Sequence, residues 1–264
     1  MATIVCIKWG TLFGPEYVNR LYSGVRRNLS TQVRFLCMTE EAGGLHPGIE
    51  VLPLPREPYH AEMDAALAVA RRQGAMRKVS LFRPGLIEGL AGPVLGFDLD
   101  VVITGPLDDL LAFAPGRVAM RADWVEARRG RPTGHGSVFR YDPALHPWLY
   151  TTLAADPAGA VARARGSEQR YTSSLAQEKG AFAYLPPEQV VSFKHDCLDL
   201  PPLNWVRRAR LPRGARVVCF HGRPKMDEAV EGWWGNPLRA CRAVPWLRDH
   251  WIDRARADLG AEWA

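Results

Sequence analysis

Lysine and long apolar runs are the features that this sequence has least of. Only five lysines occur among its 264 residues, and arginine supplies the rest of the 34 basic residues. No uncharged apolar stretch approaches the roughly 18 residues that a membrane-spanning helix needs. The N-terminus lacks the basic segment and the following apolar stretch of a secretory signal. The sequence therefore predicts a cytoplasmic protein, and peripheral contact with the inner face of a membrane stays an open alternative.

Cysteine pairs and the common nucleotide or hydrolase motifs are absent as well. The five cysteines are scattered, and no two have the C-x-x-C spacing of a zinc or redox site. Cys6 and Cys219 lie inside apolar runs, where a thiol packs as a small hydrophobic group. We therefore expect free thiols in a reducing compartment. The sequence contains no Walker-type phosphate loop and no G-x-S-x-G elbow, which argues against those classes of enzyme.

Strand-like and helix-like segments alternate along the first hundred residues. Apolar β-rich runs predict strands, and amphipathic periodicity predicts helices. The predicted strands are 3–9, 33–38, 49–54 and 94–100, and the predicted helices are 16–28, 60–73 and 77–90. This order predicts an α/β fold with a mixed, mostly parallel sheet flanked by helices, in which ligands bind at the carboxyl ends of the strands.

The second part of the chain has a less regular pattern. Short strands are predicted at 118–120, 137–139 and 216–220, partial helix at 145–165, and a terminal amphipathic helix at 246–259. The length favours one domain over residues 1–264.

Two carboxylates stand in the apolar run that ends the fourth predicted strand. Because side chains alternate along a strand, Asp98 and Asp100 are expected on one face, with Leu99 on the other. Unpaired charges in apolar surroundings are costly, and two aspartates suit a hard divalent cation such as Mn²⁺ or Mg²⁺. The alternative is that both residues only end the strand and cap the next turn.

A second polar motif, His221 to Lys225, follows the predicted strand 216–220 directly. The imidazole of His221 is a candidate metal ligand, Gly222 permits close approach of the backbone, and Lys225 supplies a point charge for phosphate. Taken alone, the motif is better explained as a turn that carries a surface histidine and lysine.

Taken together and in this order, three stretches resemble the GT-A glycosyltransferases, in particular glycosyltransferase family 8 and its bacterial relatives. The first stretch, 78–84, begins with a basic residue. The second, 97–110, contains the acidic triplet and a G-P-L-x-D-L-like continuation, and the third is 221–225. The resemblance covers most of the chain. It implies a nucleotide-sugar-binding half at 1–105 and an acceptor-side half at 106–264 that ends in a helix.

The resemblance also assigns roles at the metal and at the donor diphosphate. Asp98, Asp100 and His221 would hold Mn²⁺ or Mg²⁺, Lys225 would contact the diphosphate, and Lys78 would face the donor. Gly222 belongs to the same donor-binding loop.

Further residues are carried over with alternatives. Lys8 and Trp9 flank the loop where a nucleotide base would lie, although aromatic residues near a first strand often belong to the core. Gly136 and Ser137 stand where relatives have an asparagine- and serine-rich loop beside the donor sugar, but the asparagine is missing here. Glu168 and Gln169 resemble the acidic-Gln segment that lies near the reacting sugar in the relatives, and they are the candidate catalytic residues. Glu168 is equally well explained as an ordinary acidic residue at a helix N-terminus.

The resemblance implies a retaining, metal-dependent transferase that moves a sugar from a nucleotide sugar, expected to be a UDP-sugar, to a glycan or lipid-linked acceptor. Nucleic acid is not an expected partner. Two other functions stay open: a sugar-phosphate nucleotidylyltransferase, disfavoured because the first loop is not glycine-rich, and a non-catalytic basic protein that binds nucleic acid or an anionic membrane surface. Arginine clusters at 128–131 and 207–216 are candidates for anionic partners, or solvated faces.

Overall fold

The computed structural model describes residues 1–71, 76–90, 92–130 and 133–254. Its strands are β1 Ala2–Lys8, β2 Val33–Thr39, β3 Ile49–Pro53, β4 Val94–Phe97, β5 Val101–Ile103, β6 Val118–Ala122, β7 Gly134–Tyr141, β8 Phe182–Tyr184, β9 Val190–Ser192, β10 Val217–Cys219, β11 Gly232–Trp233 and β12 Cys241–Arg242. Its α-helices are α1 Pro15–Arg27, α2 His60–Val69, α3 Asp108–Ala112, α4 Trp124–Arg128, α5 Trp148–Ala155, α6 Pro157–Ala164, α7 Glu168–Glu178, α8 Leu203–Val206, α9 Met226–Glu231 and α10 Leu247–His250. A 3₁₀ segment spans Arg77–Phe82, and a π turn spans Phe193–Cys197.

The central sheet has the order β3-β2-β1-β4-β7-β6-β8 within the described residues. β3, β2, β1 and β4 run parallel to one another. β7 runs antiparallel to both β4 and β6, and β6 pairs with β8 in parallel. The mixed, mostly parallel α/β fold expected from the sequence is therefore confirmed.

Two apolar cores cover the two faces of this sheet. Along β1, Ile4 and Cys6 pack in the core that contains α1, whereas Val5 and Ile7 pack in the core that contains α2, α5, α6 and α7. Because a core covers each face of the sheet, all seven residues of β1 are buried, as is usual for strands of parallel sheets that helices cover on both faces.

A second, smaller sheet has the order β5-β10-β9. β5 follows the acidic triplet, and β10 precedes His221, so their antiparallel pairing brings the two motifs side by side. The register is extended beyond the strands by a hydrogen bond from Phe220 N to Asp100 O of 2.8 Å. This small sheet gives the candidate site its second wall.

The predicted strand 94–100 is wrong at its end. β4 stops at Phe97, and the triplet forms a bend between two sheets, with Asp98 N donating to Ser137 O at 2.9 Å. The alternation of faces therefore does not decide where Asp98 and Asp100 point. Their placement comes from the crossing between sheets.

Two predicted helices also need correction. The segment predicted as helix at 77–90 is 3₁₀ only as far as Phe82, because Arg83 precedes a proline and is extended, and Gly85 has a φ of 72°. The predicted terminal helix 246–259 is a single turn at α10; its part from 255 to 259 lies outside the described residues, as do residues 72 and 73 of the predicted second helix.

A phenyl ring packs over the backbone of β4 just before the triplet. Gly96 in β4 lies opposite Phe139 in β7, and a Cβ atom at this position would collide with the phenyl ring. The ring thus covers β4 two residues before Asp98. None of the helices formed by the described residues is long and apolar enough to cross a membrane.

Candidate active site

The polar residues predicted from the sequence lie at the carboxyl edge of the parallel strands. β1, β2, β3 and β4 end at the same edge, and the residues that directly follow these strands are Trp9, Glu40, Leu54 and Asp98. In open α/β sheets ligands bind at this edge.

A cleft of about 830 Å³, which we call the strand-end cleft, opens beside these residues. Trp9 is 47% exposed and lines it. The other lining residues are Thr39, Glu40, Pro53, Leu54, Pro55, Arg56, His60, Asp64, Leu67, Ala68, Arg77 and Ser80. A volume in this range holds a nucleotide-sized ligand. Lys8 is buried instead, with Nζ 3.7 Å from Glu41 Oε2, and it does not line the cleft.

Lys78 holds the first carboxylate of the triplet. Its Nζ atom donates to Asp98 Oδ1 at 2.6 Å and to Gly136 O at 3.1 Å, and it lies 3.5 Å from Glu168 Oε1. Burial lowers the pKa of Lys78, but the negative charges of Asp98 and Glu168 raise it by more, so the pKa of Lys78 lies above its ordinary value. Burial raises the pKa of Glu168, and Lys78 partly offsets this effect. One lysine thus joins three of the predicted positions.

Lys225 holds the second carboxylate from the opposite end of the sequence. Its Nζ atom donates to Asp100 Oδ2 at 2.6 Å and to Phe220 O at 3.3 Å, and it lies 5.2 Å from the ring centroid of Phe13. The backbone N–H of Lys225 donates to Glu228 Oε2 at 2.8 Å, which fixes the start of α9. Each aspartate is therefore matched with one ammonium group.

His221 leaves β10 and enters a cluster of rings. Its ring stacks on Trp124 with centroids 5.1 Å apart and an interplanar angle of 19°, and it lies 5.0 Å from the ring of His135. The Nε2 atom is 2.8 Å from Ser192 Oγ. Burial, followed by the neighbouring His135, lowers the pKa of His221 to about 2. The imidazole is therefore neutral at physiological pH.

The chemistry of these donors fits a hard divalent cation in part. The second carboxylate oxygens of Asp98 and Asp100 have no hydrogen-bond or ion-pair partner among the described residues, and the neutral ring of His221 retains a lone pair. However, the described residues include no group of three His, Cys, Asp or Glu side chains that is arranged to hold a metal ion. Two carboxylates leave several positions of a six-coordinate ion for oxygens from another molecule.

Gly136, Ser137 and Gln169 meet on the other side of Lys78. Gln169 Oε1 accepts from Gly136 N at 3.2 Å, and Gln169 Nε2 donates to Asp123 Oδ2 at 3.2 Å. Ser137 is buried, and its carbonyl accepts the bond from Asp98 described above. The structure thus brings these predicted residues together with the triplet.

A second, smaller cleft of about 350 Å³ opens next to His221, and we call it the His221 cleft. Its lining is mostly polar or charged. The lining residues are Asp123, Trp124, Val125, Glu126, His135, Arg165, Ser167, Gln169, Arg170 and His221. The Asp123 carboxylate caps α4, accepting from Val125 N and Glu126 N at 2.9 Å each.

Lys194 was missed by the sequence reasoning. Its Nζ atom lies 3.0 Å from the point that a Cβ atom of Gly222 would occupy, and Gly222 has a φ of 78°. Lys194 has no hydrogen bond or ion pair within the part of the chain that the structure describes. Burial, and then the charges of Arg239 and Lys225, lower the pKa of Lys194 to about 8. A signal was present, because lysine is rare here and Lys78, Lys194 and Lys225 all lie at this site.

Comparison with solved structures identifies the fold. An active-site mutant of LgtC superposes with a TM-score of 0.58 at 13% identity, over 88% of this chain and 92% of LgtC. The galactosyltransferase LgtC in complex with donor and acceptor sugar analogues gives 0.52 at 13% identity, over 85% and 88%. The glycosyltransferase GlyE of Streptococcus pneumoniae TIGR4 gives 0.55 at 10% identity, over 86% of this chain and 56% of GlyE.

At these identities the comparisons show the fold alone, and that fold is the GT-A-like fold of these glycosyltransferases. No protein-family model matches the sequence, and no curated protein matches it.

Proposed function

We propose that this chain is a glycosyltransferase that moves a sugar from a UDP-sugar to a hydroxyl group of a glycan or lipid-linked acceptor, with retention of anomeric configuration. The observation that carries the proposal is the meeting of Asp98, Asp100, Lys78, Glu168 and Lys225 at the carboxyl edge of a GT-A-like sheet. The strand-end cleft beside them has room for a nucleotide.

In this proposal the nucleoside occupies the strand-end cleft. Trp9 offers an exposed ring on which a base stacks, and base–aromatic stacking contributes about 1–3 kcal/mol. Stacking is tolerant of the base, so the assignment to uracil rests on the resemblance of the sequence to family 8 enzymes.

The diphosphate lies beside the triplet and the loop 221–225. Lys225, and also Lys194 from the π turn, face this region with ammonium groups, which stabilise the negative charge that develops when the nucleoside diphosphate leaves. Gly222 keeps the loop open to an oxyanion, because a side chain there would approach Lys194 Nζ.

We further propose that Asp98, Asp100 and His221 hold Mn²⁺ or Mg²⁺ together with the donor diphosphate. When bound, the ion supplies Lewis-acid stabilisation of the leaving diphosphate. Asp98 and Asp100 offer the oxygens that have no partner among the described residues, and His221 must turn its Nε2 atom away from Ser192 or use its other ring nitrogen.

The transferred sugar lies between Lys78 and the His221 cleft. Glu168 is partly buried, with Oε1 3.5 Å from the Lys78 amine, and in this proposal its carboxylate faces the centre where positive charge develops on the sugar. Gln169 is anchored by Gly136 and Asp123 and orients hydroxyl groups of the sugar. The acceptor hydroxyl then approaches through the His221 cleft.

A thermal-shift screen of nucleotide sugars, with and without Mn²⁺, tests the donor first, because a ligand that binds only the native state raises the melting temperature. Calorimetry then tests the metal. Asp100→Ala should weaken UDP binding in the presence of Mn²⁺ by about 100-fold or more, because loss of even an outer-shell partner of a metal ligand costs about 10- to 100-fold in metal affinity. The matched control is Asp109→Ala, an exposed aspartate of α3. Unchanged UDP affinity in Asp100→Ala would rule out the metal assignment.

A further inference from the structure

An exposed apolar surface lies beside the candidate active site. Six large hydrophobic side chains, each 41–82% exposed, fall within residues 200–238. They are Leu200, Leu203, Trp205, Val206, Trp234 and Leu238, and we call them the apolar face. Single exposed hydrophobic residues are ordinary, but a group of this kind marks a binding surface.

Hydrogen bonds hold the two segments of the apolar face together. Asn204 is buried, and its Nδ2 atom donates to the carbonyls of Pro237 and Ala240, both at 3.0 Å. Trp205 Nε1 also donates to Pro237 O, at 2.9 Å. The exposure is therefore built into a fixed junction between α8 and the segment that precedes β12.

Unmatched positive charge surrounds this face. Arg207 lies 3.8 Å from Asp199, but the side chains of Arg208, Arg210 and Arg239 are exposed and have no ion pair among the described residues. Exposed tryptophan and leucine bordered by arginine are suited to the boundary between lipid headgroups and acyl chains. A protein partner would need a matching acidic rim, whereas an anionic bilayer supplies that charge everywhere.

The face also lies close to the residues of the site. Arg239 is near enough to Lys194 to affect its protonation, and the backbone of Arg210 donates to Cys197 O at the end of the π turn that carries Lys194. If the protein binds another surface through the apolar face, the loop 221–225 therefore lies near that surface.

We propose that the apolar face and the arginines beside it dock this protein on an anionic phospholipid surface. The apolar side chains enter the interface, and Arg208, Arg210 and Arg239 pair with lipid phosphates or acidic headgroups. This inference goes beyond the proposed function, and it holds for the chain whether or not a sugar is transferred.

Vesicle sedimentation with the whole chain tests the proposal. The wild type should bind vesicles of phosphatidylcholine and phosphatidylglycerol at 0.1 M NaCl, and 0.5 M NaCl should weaken the binding because exposed charges are screened. Arg208→Gln with Arg210→Gln should weaken it about 25-fold, roughly fivefold for each arginine. Leu200→Ser with Trp234→Ser should weaken it about tenfold or more through lost apolar contact.

The matched control is Val69→Ser with Leu145→Ser, which removes apolar side chains of 87% and 54% exposure away from the face and should bind as the wild type does. Melting curves confirm that each variant is folded. Failure of the wild type to bind anionic vesicles at 0.1 M NaCl would overturn the proposal, as would unchanged binding by Leu200→Ser with Trp234→Ser. Sedimentation equilibrium that shows a dimer, abolished by the same pair without any vesicle binding, would instead assign the face to self-association.

Discussion

The strand-end cleft and the His221 cleft differ in what builds them. The first, of about 830 Å³, opens beside the ends of consecutive parallel strands, and about half of its lining residues are apolar or proline. The second, of about 350 Å³, is formed by α4, α7, the start of β7 and loops, and charged, histidine and amide side chains dominate its lining. We infer that the strand-end cleft, built by the regular parallel strands, recognises a ligand by shape, whereas the less regular region around the His221 cleft supplies the charges for chemistry.

Lys78 connects the two regions, since it follows Arg77 of the strand-end cleft and contacts Gly136 beside Gln169 of the His221 cleft. If this division is correct, substitutions on one side should change affinity for the nucleotide, and those on the other side should change the rate of transfer. The following experiments test that separation, beginning with the largest effect.

The strongest test concerns Glu168. We expect Glu168→Gln to lower the rate of transfer at saturating donor about a thousandfold, equivalent to about 4 kcal/mol, because the charge that faces the reacting sugar is lost. UDP affinity should not change. The measurements are initial rates and UDP calorimetry, and the control is Glu178→Gln at the exposed end of the same helix. A loss of UDP affinity with little loss of rate would contradict the division between the clefts.

Removal of the connecting lysine should reduce stability. Lys78→Met leaves the carboxylate of Asp98 without its ammonium partner, and we expect the free energy of unfolding to fall by about 2 kcal/mol, below the usual range for a buried pair because Asp98 is partly exposed. Denaturant unfolding without added metal measures this change.

Because Asp98→Asn removes the unpaired charge, the double variant should be more stable than Lys78→Met alone, and Lys179→Met serves as an exposed-lysine control. If the double variant were no more stable than Lys78→Met, the unpaired carboxylate of Asp98 would not be the cause of the loss.

Trp9 tests the strand-end cleft alone. Trp9→Ala should weaken UDP binding about tenfold, in the range of one lost stacking contact, and leave the rate at saturating donor near that of the wild type. Calorimetry and saturation kinetics separate these quantities. Trp234→Ala, which removes an indole that is 60% exposed and lies elsewhere, should leave both unchanged.

The smallest expected effect concerns Lys194. Its pKa is lowered to about 8 from 10.5, so between these values the unfolded chain binds more protons and stability rises with pH. Below pH 8 the partly buried charge of Lys194 costs stability, and Lys194→Met should therefore be about 1 kcal/mol more stable than the wild type at pH 7, after allowance for solvent screening.

The stability advantage of Lys194→Met should shrink as pH rises from about 8 to 10.5, because in this range folded Lys194 is already neutral whereas the unfolded chain is still losing its proton. Melting curves from pH 7 to 10.5 in phosphate-free buffer measure it against Lys179→Met. A destabilised Lys194→Met at pH 7 would show that the amine has a stabilising partner.

The sequence predicted the first strands and helices of the parallel sheet well, because each of them follows from the pattern of neighbouring residues. Burial on both faces makes β1 a continuous apolar run, and the periodicity of α1 follows from one buried stripe. The same reasoning was wrong for 94–100, because an apolar run does not reveal that the chain leaves one sheet at Phe97 and enters another at Val101. It was also wrong for 77–90, where Pro84 and Gly85 end the helical segment early.

The types and order of the residues were enough to identify the candidate site residues. They were not enough to predict the contacts between them. Asp100 and Lys225 are 125 positions apart, and only the pairing of β5 with β10 brings them together. Lys194 has no motif around it, and its position beside Gly222 follows from the parallel pairing of β9 with β10.

The sequence by itself therefore determined the α/β alternation, the two carboxylates of the triplet, and the motif that ends at Lys225, because periodicity and residue chemistry are properties of neighbours along the chain. The tertiary structure alone decided that Lys78 pairs with Asp98 and Lys225 with Asp100, and that apolar side chains stay exposed at 200–238. It also placed Lys194 beside Gly222, where it has no ion pair among the described residues. Such contacts depend on which distant strands pair, and strand pairing is set by the packing of the whole molecule.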